Sequence, residues 1–135
     1  MRSNSLIGAR ILAVKLHLAG ALARNTINGY GAGYVLVNGA RHDENLIVLP
    51  DRVLRWNAGG FESLGAEDFV ALAQLDLEVV LLGTGATLRF PSPQVIRPLV
   101  EARIGFEVMD TPAACRTYNI LASEERRVAA ALLLR

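Results

Sequence analysis

The sequence predicts a single α/β domain with a mixed β-sheet, and three observations lead to this fold class. The first third of the chain alternates apolar and polar residues between turn residues, as strands do. The middle changes to helical spacing and then to short, continuous apolar runs. The 135 residues, 52% apolar and 20% charged, suit one compact core. We expect this domain to span residues 15–135, and residues 1–14 to be an extension that is variable or poorly ordered.

An N-terminal β-meander is predicted between residues 33 and 57. In GYVLVNGARHDENLIVLP, successive side chains of the segment 34–37 point to opposite faces of a strand. Asn38-Gly39 is a strong signal for a hairpin turn. Apolar residues resume at 46–49, and DRVLRWN adds a further short strand.

A parallel strand–helix–strand unit is predicted over residues 77–110, after a helix in AEDFVALAQL. The run LEVVLLG is typical of a strand buried on both faces. SPQVIRPLVEAR is helical, with Ser92 as its N-cap and Pro93 at its first position, although Pro98 removes a backbone donor. GFEVMD is a second buried strand, which the intervening helix makes parallel to the first.

The remaining residues, TPAACRTYNILASEERRVAAALLLR, predict C-terminal helices. Thr111 and Pro112 mark a helix start, and Ser123 followed by two glutamates resembles a second N-cap. We expect two helical segments that are broken or bent near Ala122.

Composition excludes several function classes. The net charge of +1 gives no global field that would attract nucleic acid or a membrane surface. The single cysteine allows no internal disulfide, which fits a reducing cytoplasm. No apolar run approaches the roughly 20 residues that cross a bilayer, and Lys15 and His17 interrupt what would be the apolar part of a secretory signal. The expectation is a cytoplasmic protein without a transmembrane segment.

The best place for a site is the edge of the sheet where both parallel strands end. The loop at Gly83, Thr84 and Gly85 and the turn at Asp110-Thr111 should emerge there together. Arg89 offers a bidentate fork to a carboxylate or phosphate, and the helix that starts at Pro112 offers unpaired N–H groups. The predicted crevice comprises Gly83, Thr84, Gly85, Arg89, Asp110, Thr111, Cys115, Tyr118 and Asn119. In the alternative interpretation, the glycines shape a strand-exit turn and Arg89 pairs with Asp110 or Glu107.

The glycine pair is a weak nucleotide motif. A dinucleotide fingerprint needs a third glycine where Leu88 stands, and Pro91 and Pro93 delay the following helix. The Gly-Lys-Ser/Thr of an NTPase phosphate loop is also missing. Asp110 is the one feature in favour, since it ends the next strand, where such folds hold a ribose-binding acid. We therefore interpret the pair as a turn that shapes one wall of the crevice, and assign no cofactor.

The sequence has few residues that are suited to catalysis or metal binding. Cys115 lies about one turn into a helix, where the dipole lowers a thiol pKa, but the only histidines, His17 and His42, lie in the N-terminal third. A small buried core residue is the simpler interpretation of Cys115. One cysteine and two distant histidines offer no metal-ligand spacing. Trp56 is interpreted as a core or edge anchor and, if partly exposed, as an interface residue.

Three stretches together resemble a known family: INGYGAGYVLVNGARHDENLIVLPDRVLRW, LLGTGATLRFPSP and RIGFEVMDTPAACRTYNILASEERRVAAALL. They match, in order, the domain-of-unknown-function 498 family, whose eukaryotic members include a mitochondrial complex I assembly factor and an adipogenesis-associated protein. The resemblance covers residues 27–134 and leaves residues 1–14 without a counterpart, so the natural start of the protein is expected to lie after these residues. It implies a compact α/β domain without established catalytic activity, and an assembly or interaction role in some lineages. The family's glycine turn corresponds to Gly83, Thr84 and Gly85, and its strand-to-helix signature to Asp110, Thr111, Ala114, Cys115, Thr117, Tyr118 and Asn119.

These observations lead to two hypotheses of function. The first is a non-enzymatic protein-interaction or assembly factor for a respiratory or membrane complex, with an unknown protein partner and no nucleic acid. The alternative is a binder of, or modest enzyme for, a small anionic ligand in the crevice between Gly83–Arg89 and Asp110–Tyr118. The sequence assigns no catalytic residue and leaves the oligomeric state open.

Overall fold

The computed structural model of the protein describes residues 24–135, which form two β-sheets and three α-helices. Residues 1–14 and His17, for which the sequence led to expectations, lie outside the described residues. The elements in chain order are β1 (Ile27–Gly31), β2 (Tyr34–Val37), β3 (Ala40–His42), β4 (Leu46–Leu49), β5 (Arg52–Arg55), a 3₁₀ turn (Phe61–Ser63), α1 (Glu67–Ala73), β6 (Val79–Gly83), α2 (Arg97–Glu101), β7 (Gly105–Met109), α3 (Thr111–Ser123) and β8 (Val128–Leu132).

The α/β class and the mixed sheet are confirmed, but the predicted meander is divided between two sheets. Strands β1, β2 and β3 form a three-stranded antiparallel sheet. The β4–β5 hairpin belongs instead to a five-stranded sheet with the order β5-β4-β8-β6-β7. In this large sheet β4 runs antiparallel to β5 and β8, whereas β6 runs parallel to β7 and β8.

The prediction of a second C-terminal helix is wrong. Residues 128–132 form β8, a fully buried strand that pairs with β4 on one side and with β6 on the other. Its alanine-rich sequence favours a helix locally, and the long-range pairing overrides that weak preference. The helix before it, α3, continues unbroken past Ala122 and ends where Glu125 adopts φ 61°. Arg126 N donates to Leu121 O at 3.0 Å, which closes the helix end, so Ser123 is not a second N-cap.

Two further expectations in the parallel unit need correction. Helix α2 begins at Arg97 rather than at Pro93, because residues 93–96 form turns. Pro98 therefore lies in the first helical turn, where its missing N–H has no intrahelical acceptor to lose. Strand β7 is parallel to β6 as expected, but it is an edge strand and only half-buried.

The core has two halves, one on each face of the large sheet. Alternate residues of β6 supply them: Leu81 packs on the side of α3 and the small sheet, whereas Val80 and Leu82 pack on the side of α1 and α2. The large buried side chains Tyr118 and Phe69 belong to the first and second half respectively. This layered arrangement positions the ends of β6 and β7 beside the start of α3.

Candidate functional site

The structure brings the Gly83–Gly85 loop and the Asp110-Thr111 turn together at one sheet edge. Gly83 pairs with Met109 at the end of the parallel ladder, and Thr84 N donates to Met109 O at 2.9 Å. Beyond the ladder, Thr111 N donates to Gly85 O at 2.8 Å, and Gly85 N donates to Thr111 Oγ1 at 2.8 Å. The two turns are therefore joined directly by hydrogen bonds, with their polar backbone groups turned toward each other.

The glycines have structural roles at this junction. A Cβ on Gly83 would lie 2.9 Å from Thr111 Oγ1 and 3.0 Å from Thr111 Cα, closer than a side chain tolerates. Gly85 has φ +93°, a conformation that residues with a Cβ rarely adopt. Close approach and turn geometry account for both glycines without a bound anion.

Two threonine hydroxyls close the loop from inside. Thr84 is fully buried, and its Oγ1 donates to Thr87 O at 2.7 Å and accepts from Arg89 N at 3.2 Å. Thr111 Oγ1 donates to Leu133 O at 3.0 Å, next to β8. Neither hydroxyl is left to activate a nucleophile or to hold a ligand.

The helix start beside the loop is also occupied, which corrects the expectation of unpaired N–H groups there. Asp110 is the N-cap of α3, and its Oδ1 accepts from Ala113 N at 2.8 Å. Ala114 N donates to Asp110 O at 2.9 Å, Thr111 N is bonded to Gly85 O, and Pro112 has no N–H. The first turn of α3 thus presents no free donor to an anion.

Arg89 is directed back onto its own loop. Its Nη2 donates to Thr84 O at 3.1 Å, and its Nη1 donates to Glu62 Oε1 at 3.2 Å. The guanidinium lies 4.5 Å above the Phe61 ring. The expected pairing with Asp110 or Glu107 is wrong, because the loop turns the side chain toward the 3₁₀ turn that precedes α1.

Cys115 lies on the buried face of α3 and has no access to solvent. Burial raises the pKa of its thiol to about 12, since desolvation disfavours the thiolate. The thiol is therefore protonated and shielded at neutral pH. This geometry matches the core interpretation of Cys115 and gives it no place in the crevice.

Tyr118 and Asn119 anchor the beginning of the described chain to α3. The Tyr118 hydroxyl donates to Asn25 O at 2.8 Å, and burial raises its pKa. The Asn119 side chain donates from Nδ2 to Ile27 O at 2.7 Å and accepts at Oδ1 from Ile27 N at 2.9 Å. Both side chains act in tertiary packing, away from the turn at Asp110.

Trp56 is a core residue, which fits its interpretation as a core anchor rather than the alternative of a partly exposed interface residue. It is only 6% exposed, and its Nε1 donates to Asp68 O at 2.9 Å. Its ring packs edge-on against Phe69 with centroids 5.7 Å apart. The large sheet and α1 together enclose it.

Sequence reasoning missed two residues that the loop exposes. Leu88 is 49% exposed and Phe90 is 73% exposed, although most large apolar side chains of the domain are buried. The sequence feature that could have predicted their exposure is the position of two bulky apolar residues in a glycine- and proline-rich loop. Such a loop has no strand or helix periodicity that would place them on a buried face. Because Thr84 and Arg89 fix the loop, these side chains are presented in a defined place.

Within residues 24–135 no group of three or more histidine, cysteine, aspartate or glutamate side chains is placed to hold a metal ion. In the same part of the chain no helix has the length and apolarity to cross a membrane.

Comparison with known proteins identifies relatives of this chain. The NADH dehydrogenase (ubiquinone) 1 alpha subcomplex assembly factor 3 of Bos taurus is 36% identical over 109 residues, covering 79% of this chain and 59% of the bovine protein. The chain thus spans less than two thirds of that relative's length. An uncharacterized protein of Rhodobacter capsulatus is 40% identical over 116 residues, covering 85% of this chain and 86% of that protein.

The fold has also been seen in a solved structure. A crystal structure of a Bordetella parapertussis protein has 40% sequence identity and a TM-score of 0.77, covering 82% of this chain and 96% of the other. The family model described as Protein of unknown function (DUF498/DUF598) matches residues 27–133, from β1 to the end of β8. The resemblance that the sequence suggested is confirmed, and the chain belongs to the DUF498/DUF598 family.

Proposed function

We propose that this chain is a non-enzymatic protein-interaction factor that assists the assembly of a respiratory or membrane complex. The observation that carries the proposal is the loop 84–90, which directs the Thr84 hydroxyl and the Arg89 guanidinium into the domain and presents Leu88 and Phe90 to solvent. Relatives such as the bovine protein are named as assembly factors, whereas the Rhodobacter capsulatus relative carries no functional name. The proposed location is the cytoplasm, on the sequence grounds of a single, free cysteine.

The polar part of the crevice supports binding of a protein surface better than chemistry. Thr84, Thr111 and Asp110 each complete hydrogen bonds within the domain, and Arg89 is bonded to Thr84 O and Glu62. A general acid or base needs a group within reach of a substrate proton, and an anion site needs donors that are free to meet it. The donors described here would have to leave existing partners first.

The exposed loop has the properties of an interface anchor. An exposed phenylalanine on a rigid support loses little conformational entropy on binding and buries a large apolar area. Arg89 holds the support through three contacts: the Thr84 carbonyl, the Glu62 carboxylate and the Phe61 ring. The proposal assigns Leu88 and Phe90 to the contact with a subunit of the complex under assembly.

The test is capture of the partner from native cells with a tagged full-length chain. The informative variant is Leu88→Ser with Phe90→Ser, and the matched control is Val70→Ser with Val100→Ser, which removes two exposed apolar side chains on α1 and α2. We expect the wild type and the control to recover the same respiratory or membrane-complex subunit, and the loop variant to lose it at least about tenfold. Equal melting temperatures would show that all variants fold.

Two results would contradict the proposal. If the wild type recovers no specific subunit, the proposed assembly function is contradicted. Unchanged recovery by the loop variant would remove Leu88 and Phe90 from the interface.

A further inference from the structure

A groove runs along strand β5, at the opposite edge of the large sheet from β7. It encloses about 410 Å³, and its two walls are the segment Arg41–Leu46 and the strand segment Val53–Arg55. A second groove of about 360 Å³ continues past the end of β5 toward Trp56–Gly59 and Arg135. The two grooves adjoin, because both are lined by Glu44, Asn45 and Arg55, and together we call them the β5 groove.

The outer edge of β5 carries backbone groups that β4 does not engage. Trp56 N donates to Asn45 O at 3.1 Å, which identifies this pair as hydrogen-bonded in the antiparallel β4–β5 ladder. Bonded and non-bonded pairs alternate, so the N–H and C=O groups of Val53 and Arg55 point away from β4. No residue within the described range 24–135 pairs with this edge, because β5 ends the sheet. Both residues line the groove.

The floor of the groove is pre-organised. Asn45 is 6% exposed and donates from Nδ2 to Ala58 O at 2.9 Å. Its Oδ1 accepts from Leu134 N at 2.7 Å and from Arg135 N at 3.0 Å. One buried amide therefore ties together the three chain segments that meet there, and an incoming strand would find the edge already in place.

The charges of the β5 groove favour an acidic occupant. Three arginines line it, Arg41, Arg55 and Arg135, against the two acids Asp43 and Glu44. The Arg55–Glu44 pair at 2.8 Å and the Arg41–Asp43 pair at 3.8 Å are both exposed to solvent, so competing carboxylates can exchange with them. His42 also lines the groove.

We propose that the β5 groove is the docking site for an extended, acidic segment of a protein partner, which joins the large sheet as an added strand on β5. Main-chain bonds to Val53 and Arg55 supply affinity, and the arginines select acidic side chains. The inference rests on the proposed interaction function but uses a different surface from Leu88 and Phe90. It gives the partner a second point of attachment, at the edge opposite β7.

The experiment uses the full-length chain and a displayed library of random nine-residue peptides. We expect selection of acidic peptides with alternating apolar residues. Titration of the isotope-labelled chain with a selected peptide should shift the amide signals of Val53 and Arg55 in a saturable way. An otherwise identical peptide with N-methyl groups on alternate residues should bind at least about tenfold more weakly, since it cannot complete an added strand.

Three variants locate the binding and guard against misfolding. Val53→Pro removes an outward N–H at an edge, where proline is tolerated, and should weaken binding at least about tenfold. Val108→Pro makes the same change at the edge strand β7 and should leave binding unchanged. Arg55→Glu retains the backbone and should favour lysine-containing versions of the peptide over acidic ones.

The proposal is overturned if no peptide is enriched, if the enriched peptides are basic, or if the amide shifts fall outside the groove. It is also overturned if Val53→Pro binds normally, or if the wild type self-associates through β5 and excludes peptides. Failure here is distinguishable from failure of the assembly function. If only the docking proposal fails, capture from native cells will still depend on Leu88 and Phe90 but will be insensitive to Val53→Pro.

Discussion

Asn119 binds both backbone polar groups of Ile27, accepting from its N–H at 2.9 Å and donating to its C=O at 2.7 Å. Ile27 begins β1 and is 3% exposed, so water cannot replace this pair of bonds easily. One amide on α3 thus fastens the first strand of the small sheet to the helix that starts at the crevice.

Asn119→Ala should destabilise the domain by about 1–3 kcal/mol, because it leaves a buried donor and a buried acceptor unsatisfied. Urea unfolding followed by circular dichroism measures the change. Ile120→Ala is the control, since it shortens an exposed side chain next to Asn119 on the same helix and should be nearly neutral. If the free energy of unfolding of the alanine variant at Asn119 falls by less than about 0.5 kcal/mol, solvent must reach the backbone of Ile27.

Gly83→Ala should also destabilise the domain, by about 1–3 kcal/mol, because the added Cβ would meet Thr111 at 2.9–3.0 Å. The contact includes the Thr111 backbone, which cannot swing away. Gly60→Ala is the matched control, since its Cβ would lie at an ordinary 3.7 Å from Arg135 O. Thermal unfolding of the two variants should differ clearly, and equal melting temperatures would refute the close approach of β6 and α3.

Arg103→Gly should stabilise the domain by about 0.5–1 kcal/mol. Arg103 has φ 59° just after α2, where Ile104 N donates to Leu99 O at 3.0 Å to close the helix. This is the position at which helices prefer glycine. Arg103→Lys separates backbone strain from charge and should leave the unfolding free energy unchanged, whereas a destabilised glycine variant would contradict the strain.

Cys115 should resist a fluorescent maleimide in the native protein and react fully in denaturant, because the thiol is buried and its pKa is raised to about 12. Rapid labelling of the native state would contradict this structure of α3.

The raised pKa of Cys115 also determines how the free energy of unfolding changes with pH. The unfolded thiol ionises near pH 8.5–9, below the folded pKa of about 12. The unfolded state therefore loses its proton first, and the free energy of unfolding falls as pH rises between those values. Cys115→Ala should reduce this alkaline slope and leave a part due to Tyr118, whose pKa is raised by burial. An identical slope in the variant would mean that Cys115 does not titrate as described.

A thermal-shift screen with nucleotides, phosphates and small carboxylates should give no shift for the wild type, because both Nη atoms of Arg89 and the N–H groups at the start of α3 already have partners, and Arg89 Nε, which has no partner among the described residues, is buried. Arg89→Ala should lower the melting temperature without any ligand, since the loop loses its contacts with Thr84, Glu62 and Phe61. A ligand at 100 times its Kd would stabilise the domain by about 2.7 kcal/mol. Such a shift, abolished in Arg89→Ala, would favour the anionic-ligand alternative.

The sequence by itself determined the α/β class, the parallel pairing of β6 with β7 and the meeting of the Gly83 and Asp110 turns. These features follow from local signals: apolar periodicity, turn residues and the rule that a helix between two strands makes them parallel. Family membership was also readable, because three separated stretches matched in order.

Only the tertiary structure decided the path of residues 128–132, the burial of Trp56 and the partners of Arg89. Residues 128–132 are helical by composition, yet they form the central strand because β4 and β6 leave a place between them. Arg89 meets Glu62 and Phe61, which lie far from it in the chain, and Leu88 and Phe90 stay exposed because that contact fixes their loop. Contacts between distant segments carry no periodic signal in the sequence, so the site depends on packing that only the folded chain specifies.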